Sequence, residues 1–242
     1  LNIDADEEIS PELANKIKGI KENSRYKVYK INFIYNSNAI EGNTLTLKET
    51  DIILQYGVTV KGKSLKEHEE VKGQEYALNF LKEVIKTNES LSLRLIREFH
   101  ALVLNDDIEN RGKFKKSNNE ILGAGFETTP YYLVEEKLTE LIEKFNSREN
   151  NDLIMKVACF HADFEKIHPF IDGNGRTGRL IMLALMLENN LTPFVITVEN
   201  RAKYMDILRN QDIENFVSLV EPLIEEEKKR IIAFKKSSNL QI

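Results

Sequence analysis

Apolar residues recur at three- or four-residue steps through most of the chain, and capping residues bound the segments so marked. Ser10-Pro11-Glu12 is a helix start: a capping hydroxyl, a proline at the first helical position and an early carboxylate. Leu13, Ile17, Ile20, Val28, Ile31 and Ile34 then predict a helix reaching Ser37 to Gly42, with one wider gap after Ile20 and a glycine to stop it. Thr46 and Glu49 form a capping box opening a helix from Leu47 to Tyr56, which Gly57 closes. Ser64 and Glu67 repeat the device before Leu65 to Lys86, where Val71, Ala77, Leu78, Leu81 and Ile85 face a core. Further helices are predicted at Leu93 to Leu104, Val134 to Phe145, Asp152 to Phe164, Asn200 to Arg209 and Ile213 to Lys235. In the last, Phe216, Leu219, Val220, Leu223, Ile231 and Ile232 mark a core side and Lys228, Lys229, Arg230, Lys235 and Lys236 a solvated one. The unbroken apolar run from Leu180 to Leu187 reads as a buried helix, and Pro193 to Val198 as a short extended piece.

The helical period fails between Asn105 and Tyr132, where Asp106, Asp107, Gly112, Gly123, Gly125 and Pro130 intervene. Ile121 to Phe126 and Thr128 to Tyr132 predict a small β-hairpin with its turn near Ala124 to Glu127. A stretch this long favours a loop over a site; the plainer alternative is a surface connection. Nothing repeats and no Pro/Ser-rich linker divides the chain, so the expectation is one all-α domain carrying a small hairpin.

Composition narrows the function. The 242 residues are 41% hydrophobic, enough for a substantial core, and the net charge of −5 lacks the basic excess of a nucleic-acid binder. A lone cysteine, Cys159, excludes an internal disulfide, and its apolar neighbours read as those of a buried structural thiol. No apolar run approaches the ~20 residues of a membrane span, and the first residues do not resemble a signal peptide; the expected location is cytoplasmic. His68, among Glu67, Glu69 and Glu70, reads as solvated; His100 and His161 read as packed core histidines. Neither His68 nor His100 has a partner at zinc-ligand spacing.

The chemistry gathers in His168-Pro-Phe-Ile-Asp-Gly-Asn-Gly-Arg-Thr-Gly-Arg179. A glycine-rich turn running into a helix presents unpaired backbone N–H groups, a natural anion site. Arg176 and Arg179, three apart, can reach one anion; Asp172 is a hard oxygen ligand suited to Mg²⁺; His168 is a natural proton acceptor. Ser37 and Glu41 share a helical face near a C-terminus, where the dipole disfavours a carboxylate. By spacing alone Glu41 reads as a solvated surface residue.

The twelve residues fill every specified position of the Fic signature, His-x-Phe-x-(Asp/Glu)-Gly-Asn-Gly-Arg-x-x-Arg, and the chain resembles that family. Ser37-Asn-Ala-Ile-Glu41-Gly42 resembles the family's inhibitory motif in its N-terminal, class II position. Gly62-Lys-Ser-Leu, the Gly123 to Pro130 stretch and Arg201-Ala-Lys-Tyr204 also fall where relatives have similar segments, so the resemblance covers residues 30–215. It implies a mainly helical Fic fold across residues 1–242, with an inhibitory helical segment about 10–43 and a core about 47–237. The implied activity is transfer of AMP from ATP to a Ser, Thr or Tyr hydroxyl in an extended segment of a target protein, or of the chain itself, with release of pyrophosphate. By position His168 would be the general base and Asp172 would hold Mg²⁺; Asn174 with the Gly173 and Gly175 backbones would form the anion hole. Arg176 would hold the β-phosphate and Arg179 the γ-phosphate. Gly123, Ala124 and Gly125 would belong to a flap bordering the nucleotide and aligning the target backbone, and Tyr204 would line the adenine pocket. Glu41 is then expected to pair with Arg179 and restrain the reaction.

Two departures bear on target choice: Lys115-Lys116 stands where many relatives have an arginine, and Thr129-Pro130 replaces a double proline. Competing readings are AMP removal, transfer of another phosphate-containing group, or a non-catalytic helical binding module. No nucleic acid or membrane partner is expected, and a homodimer is left open.

Overall fold

The computed structural model describes residues 11–120, 126–147 and 152–239, with side chains from residue 25 to residue 234 within those ranges. Nine α-helices follow one another among them: α1 (Pro11–Ile40), α2 (Leu47–Tyr56), α3 (Leu65–Thr87), α4 (Leu93–Val103), α5 (Val134–Ser147), α6 (Leu153–Ile167), α7 (Asn174–Glu188), α8 (Arg201–Asn210) and α9 (Ile213–Asn239). Short 3₁₀ turns at Tyr131–Leu133 and Val198–Asn200 join them.

Helix α7 is the axis of the molecule. Every residue from Leu180 to Met186 is buried, the consequence of a run apolar on all sides, and such a helix must be enclosed by others. Helices α1, α3, α4 and α6 pack on it. Both expected capping boxes form: the Thr46 and Ser64 hydroxyls accept from the Glu49 and Glu67 N–H groups, whose carboxylates reach back. Helix α1 ends where Gly42 takes a left-handed conformation (φ +98°).

Several expectations are corrected. His68 is buried: its Nε2 accepts from the Val60 N–H at 2.8 Å while Nδ1–H donates to the Ser64 carbonyl at 2.7 Å, so the ring ties the α2–α3 connection to α3. Val28 and Ile232 are exposed, because the core-facing sides of α1 and α9 are set by Phe33, Ile34 and Ile40 and by Phe216, Leu219, Val220 and Ile224. Cys159 is half-buried rather than enclosed.

Residues 121–125, which carry nearly all of the expected first strand with Gly123, Ala124 and Gly125, lie outside the described residues; among those described there is no strand. Nor, among them, is any helix long and apolar enough to cross a membrane.

Candidate active site

The site is the junction between the C-terminus of α6 and the N-terminus of α7. His168 is the residue that ends α6, in a left-handed conformation (φ +49°) uncommon outside glycine. Its Nδ1–H donates to the Glu165 carbonyl at 3.3 Å, because a carbonyl oxygen only accepts; Nε2 therefore carries the free lone pair. Burial is the main reason the ring's pKa falls to about 4, and the Lys115 ammonium lowers it further against the Glu165 carbonyl, Glu41 and Asp172. The imidazole is thus neutral at physiological pH, the state a proton acceptor needs.

The turn between the helices is braced by Asn174 and His100. Asn174 spends its buried amide on the Phe170 main chain, accepting from its N–H and donating to its carbonyl, both at 2.8 Å. In this arrangement the residue offers an anion its main-chain N–H rather than its side chain. His100 accepts from the Gly112 N–H at 2.9 Å, which leaves its Nε2–H to donate to the Asp172 carbonyl at 3.0 Å. Its ring stacks on Phe170 with centroids 3.6 Å apart, and burial holds its pKa at about 4. Gly173 turns the chain at φ +74°, and the first turn of α7 then presents the N–H groups of Asn174, Gly175 and Arg176, which have no partner within the helix.

The carboxylate expected at Arg179 is there. Arg179 is 3% exposed; its Nη2 donates to Glu41 Oε1 at 2.7 Å and to the Ser37 carbonyl at 2.7 Å, and its Nε to Ser37 Oγ at 3.2 Å. Burial pulls its pKa down, but the combined influence of Glu41 and Tyr204 outweighs this and raises it. A Cβ on Gly175 would lie 2.3 Å from Glu41 Oε1. The bare Cα of Gly175 is therefore what admits the carboxylate to the mouth of the helix.

Arg176 is equally buried and meets two acids, Glu70 at 3.2 Å and Asp172 at 3.4 Å. Glu70 also accepts from Asn43 Nδ2 at 2.8 Å, so the stretch following α1 is fastened to the partner of Arg176. Nothing in the sequence singles out Glu70, because a glutamate on an amphipathic helix has no distinguishing spacing. Asp172 is 52% exposed, and Gly173 N–H donates to its Oδ1 at 2.6 Å. Among the described residues no cluster of three or more His, Cys, Asp or Glu could hold a metal alone. One exposed carboxylate fits Mg²⁺ that brings its other ligands with a polyphosphate.

Tyr204 is placed otherwise than expected. Its ring is fully buried behind Arg179, 5.9 Å from the guanidinium, with its hydroxyl on His161 Nε2 at 2.7 Å. It supports the arginine from the core side and forms no wall of an open pocket. Glu165 lies in the same region, 4.0 Å from His161, in space that a Cβ at Gly178 would invade at 2.4 Å.

Comparison with known proteins agrees with this geometry. The Fic/DOC family pattern matches residues 90–186. A solved Fic-1 fragment from Caenorhabditis elegans superposes with a TM-score of 0.78 at 30% identity, covering 93% of this chain and 72% of that one. The chain belongs to the Fic family. A Fic domain containing signaling protein from Bacteroides thetaiotaomicron shares the fold at a TM-score of 0.79 and 25% identity, covering 93% of this chain and 94% of that one. Protein adenylyltransferase fic-1 of Caenorhabditis briggsae is 34% identical over 215 residues, 86% of this chain but 42% of its own length. The Fic domain described here thus spans less than half of that curated relative.

Proposed function

We propose that this Fic domain is a protein adenylyltransferase held in a self-inhibited state. The observation that carries the proposal is the meeting of a neutral His168, free at Nε2, with an anion-seeking helix end whose Arg179 is occupied by Glu41. In the reaction Nε2 takes the proton of a target Ser, Thr or Tyr hydroxyl. Its oxygen bonds to the α-phosphorus of ATP, and the bond to the bridging oxygen breaks to release pyrophosphate. The α7 N–H groups, Arg176 and Arg179 stabilise the charge that develops on the phosphates. Mg²⁺ held by Asp172 would neutralise phosphate charge when bound.

Glu41 competes with this arrangement. An ATP γ-phosphate that needs Arg179 meets a carboxylate already there, so nucleotide can bind only with its α-phosphorus out of line. The named activity of the curated relative supports the reading. Incubation with α-labelled and γ-labelled ATP tests it: α-label on protein is expected, stronger in Glu41→Gly and absent in His168→Ala. Label arriving only from the γ-position, or persisting in His168→Ala, would overturn it.

A further inference from the structure

Lys115 is a buried ammonium outside the signature, and its contacts are concentrated on the turn that carries the base. Its main-chain N–H donates to the Pro169 carbonyl at 2.9 Å, and its Nζ reaches the Ile167 carbonyl at 3.4 Å. These are the carbonyls of the residues on either side of His168. The same Nζ donates to Asn119 Oδ1 at 2.6 Å and Thr128 Oγ1 at 3.2 Å. Asn119 Nδ2 continues to the Phe170 carbonyl at 2.8 Å, and the Thr128 hydroxyl bonds the Asn119 carbonyl at 2.6 Å. One side chain therefore joins the His168 turn to Asn119, just ahead of the expected hairpin, and to Thr128, within it.

The energetics make this arrangement unusual. No carboxylate among the described residues pairs with Lys115, which is 5% exposed and surrounded by neutral oxygens. A buried ammonium without a counter-ion is costly, and burial lowers its pKa to about 8. His168 holds a left-handed conformation that persists in a non-glycine residue only where its surroundings over-determine it. Bonds to both flanking carbonyls do so.

We propose that Lys115 is a positioning residue of the transfer reaction: it fixes the His168 turn and holds Asn119 and Thr128 to that turn. This rests on the adenylyltransferase reading for its consequence in catalysis, though not for its structural part. The ammonium also helps to keep the base unprotonated. Among the charged groups that act on the His168 ring, Lys115 disfavours the imidazolium, whereas Glu41 and Asp172 favour it.

The test uses Lys115→Met, which keeps length and loses charge, and Lys115→Arg, which keeps charge. Two readouts are independent of activity. In Lys115→Met the His168 ring, followed by NMR and assigned with His168→Ala, is expected to titrate at higher pH, toward the ordinary ~6.5. Amides of residues 116–120 and 126–131 are expected to exchange faster. In a Glu41→Gly background, kcat for transfer from α-labelled ATP should fall about a hundredfold with ATP affinity retained, the scale of a misplaced reacting group. Lys115→Arg should restore the titration and most of kcat. Thr128→Val, should Lys115→Met not fold, is expected to loosen the 126–131 amides while leaving the His168 midpoint in place. An unchanged midpoint and unchanged exchange in Lys115→Met overturn the proposal whether or not transfer occurs. Absence of α-label in Glu41→Gly itself overturns the adenylyltransferase reading and leaves the NMR outcome for Lys115 standing.

Discussion

Replacing Glu41 by glycine removes one carboxylate from an arginine that keeps its other ligands. Arg179 still has the Ser37 carbonyl and hydroxyl, so the guanidinium stays in place while its outer face opens. Close charge pairs at interfaces couple by about 1.5–7 kcal/mol, and the 34% exposure of the Glu41 side chain puts this pair near the low end, about 2–3 kcal/mol. At 1.4 kcal/mol per decade that is roughly a 30- to 150-fold gain in productive ATP use. Initial rates of α-label incorporation, wild type against Glu41→Gly at subsaturating ATP, measure it. Glu41→Gln refines the result: it loses the charge but keeps the bulk over Gly175, so it should fall between the two. Thermal stability should drop modestly, since one partner of a largely buried pair is lost and the arginine remains hydrogen-bonded. A folded Glu41→Gly protein within about threefold of the wild-type rate, a gap of under 1 kcal/mol, would falsify the restraint and leave the ion pair as structural.

Other outcomes follow from the same geometry. In the Glu41→Gly background, Gly175→Ala is expected to weaken ATP binding about tenfold by calorimetry, because a methyl there occupies the helix mouth; unchanged binding would place the phosphates elsewhere. His100→Ala strips a buried partner from the Asp172 carbonyl and the Gly112 N–H, and removes a ring stacked on Phe170. A loss of about 2–4 kcal/mol by denaturant unfolding is expected, and one below about 0.5 kcal/mol would contradict the bracing role. Stability should also fall on both sides of mild acidity. The His100, His161 and His168 pKa values are depressed by burial to about 4, 3 and 4, so their contribution is present above the ordinary ~6.5 and lost as pH falls toward those values. Glu165 is shifted oppositely, raised to about 8 by burial, so its contribution is present below the ordinary carboxylate range and lost as pH rises toward 8. Glu165→Gln should flatten the alkaline side of a melting-temperature profile; an unaltered slope between pH 5 and pH 8 would assign that loss to other groups.

Most of the helical architecture is legible in the sequence because its signals are local. Capping boxes at Thr46–Glu49 and Ser64–Glu67 act over three residues, and the Leu180 to Met186 run declares its burial without reference to anything distant. The signature at 168–179 is legible for the same reason. What joins remote parts of the chain is not. Spacing alone misreads Glu41, whose partner lies 138 positions away, and gives no hint that Glu70 meets Arg176. It misreads His68 because the partner, the Val60 N–H, lies in a connection whose path no pattern fixes. Resemblance puts Tyr204 in a pocket, yet its hydroxyl is satisfied in the core by His161. The polar run Asn36-Ser37-Asn38 is buried against hydrophobic expectation, since Ser37 and Asn36 serve Arg179 and the Val198 N–H.

That His168 is itself the cap of α6 makes the helix a ruler. Each residue of an α-helix advances the chain by about 1.5 Å and rotates it by about 100°. A single insertion or deletion between the Phe160 layer, which anchors α6 in the core, and His168 would swing the imidazole away from the mouth of α7 even if every side chain were kept. On the proposed reaction, length is therefore a requirement of catalysis in this stretch. The connection from 105 to 114 carries a looser constraint: its length must let Gly112 reach His100 and Lys115 reach the Pro169 and Ile167 carbonyls.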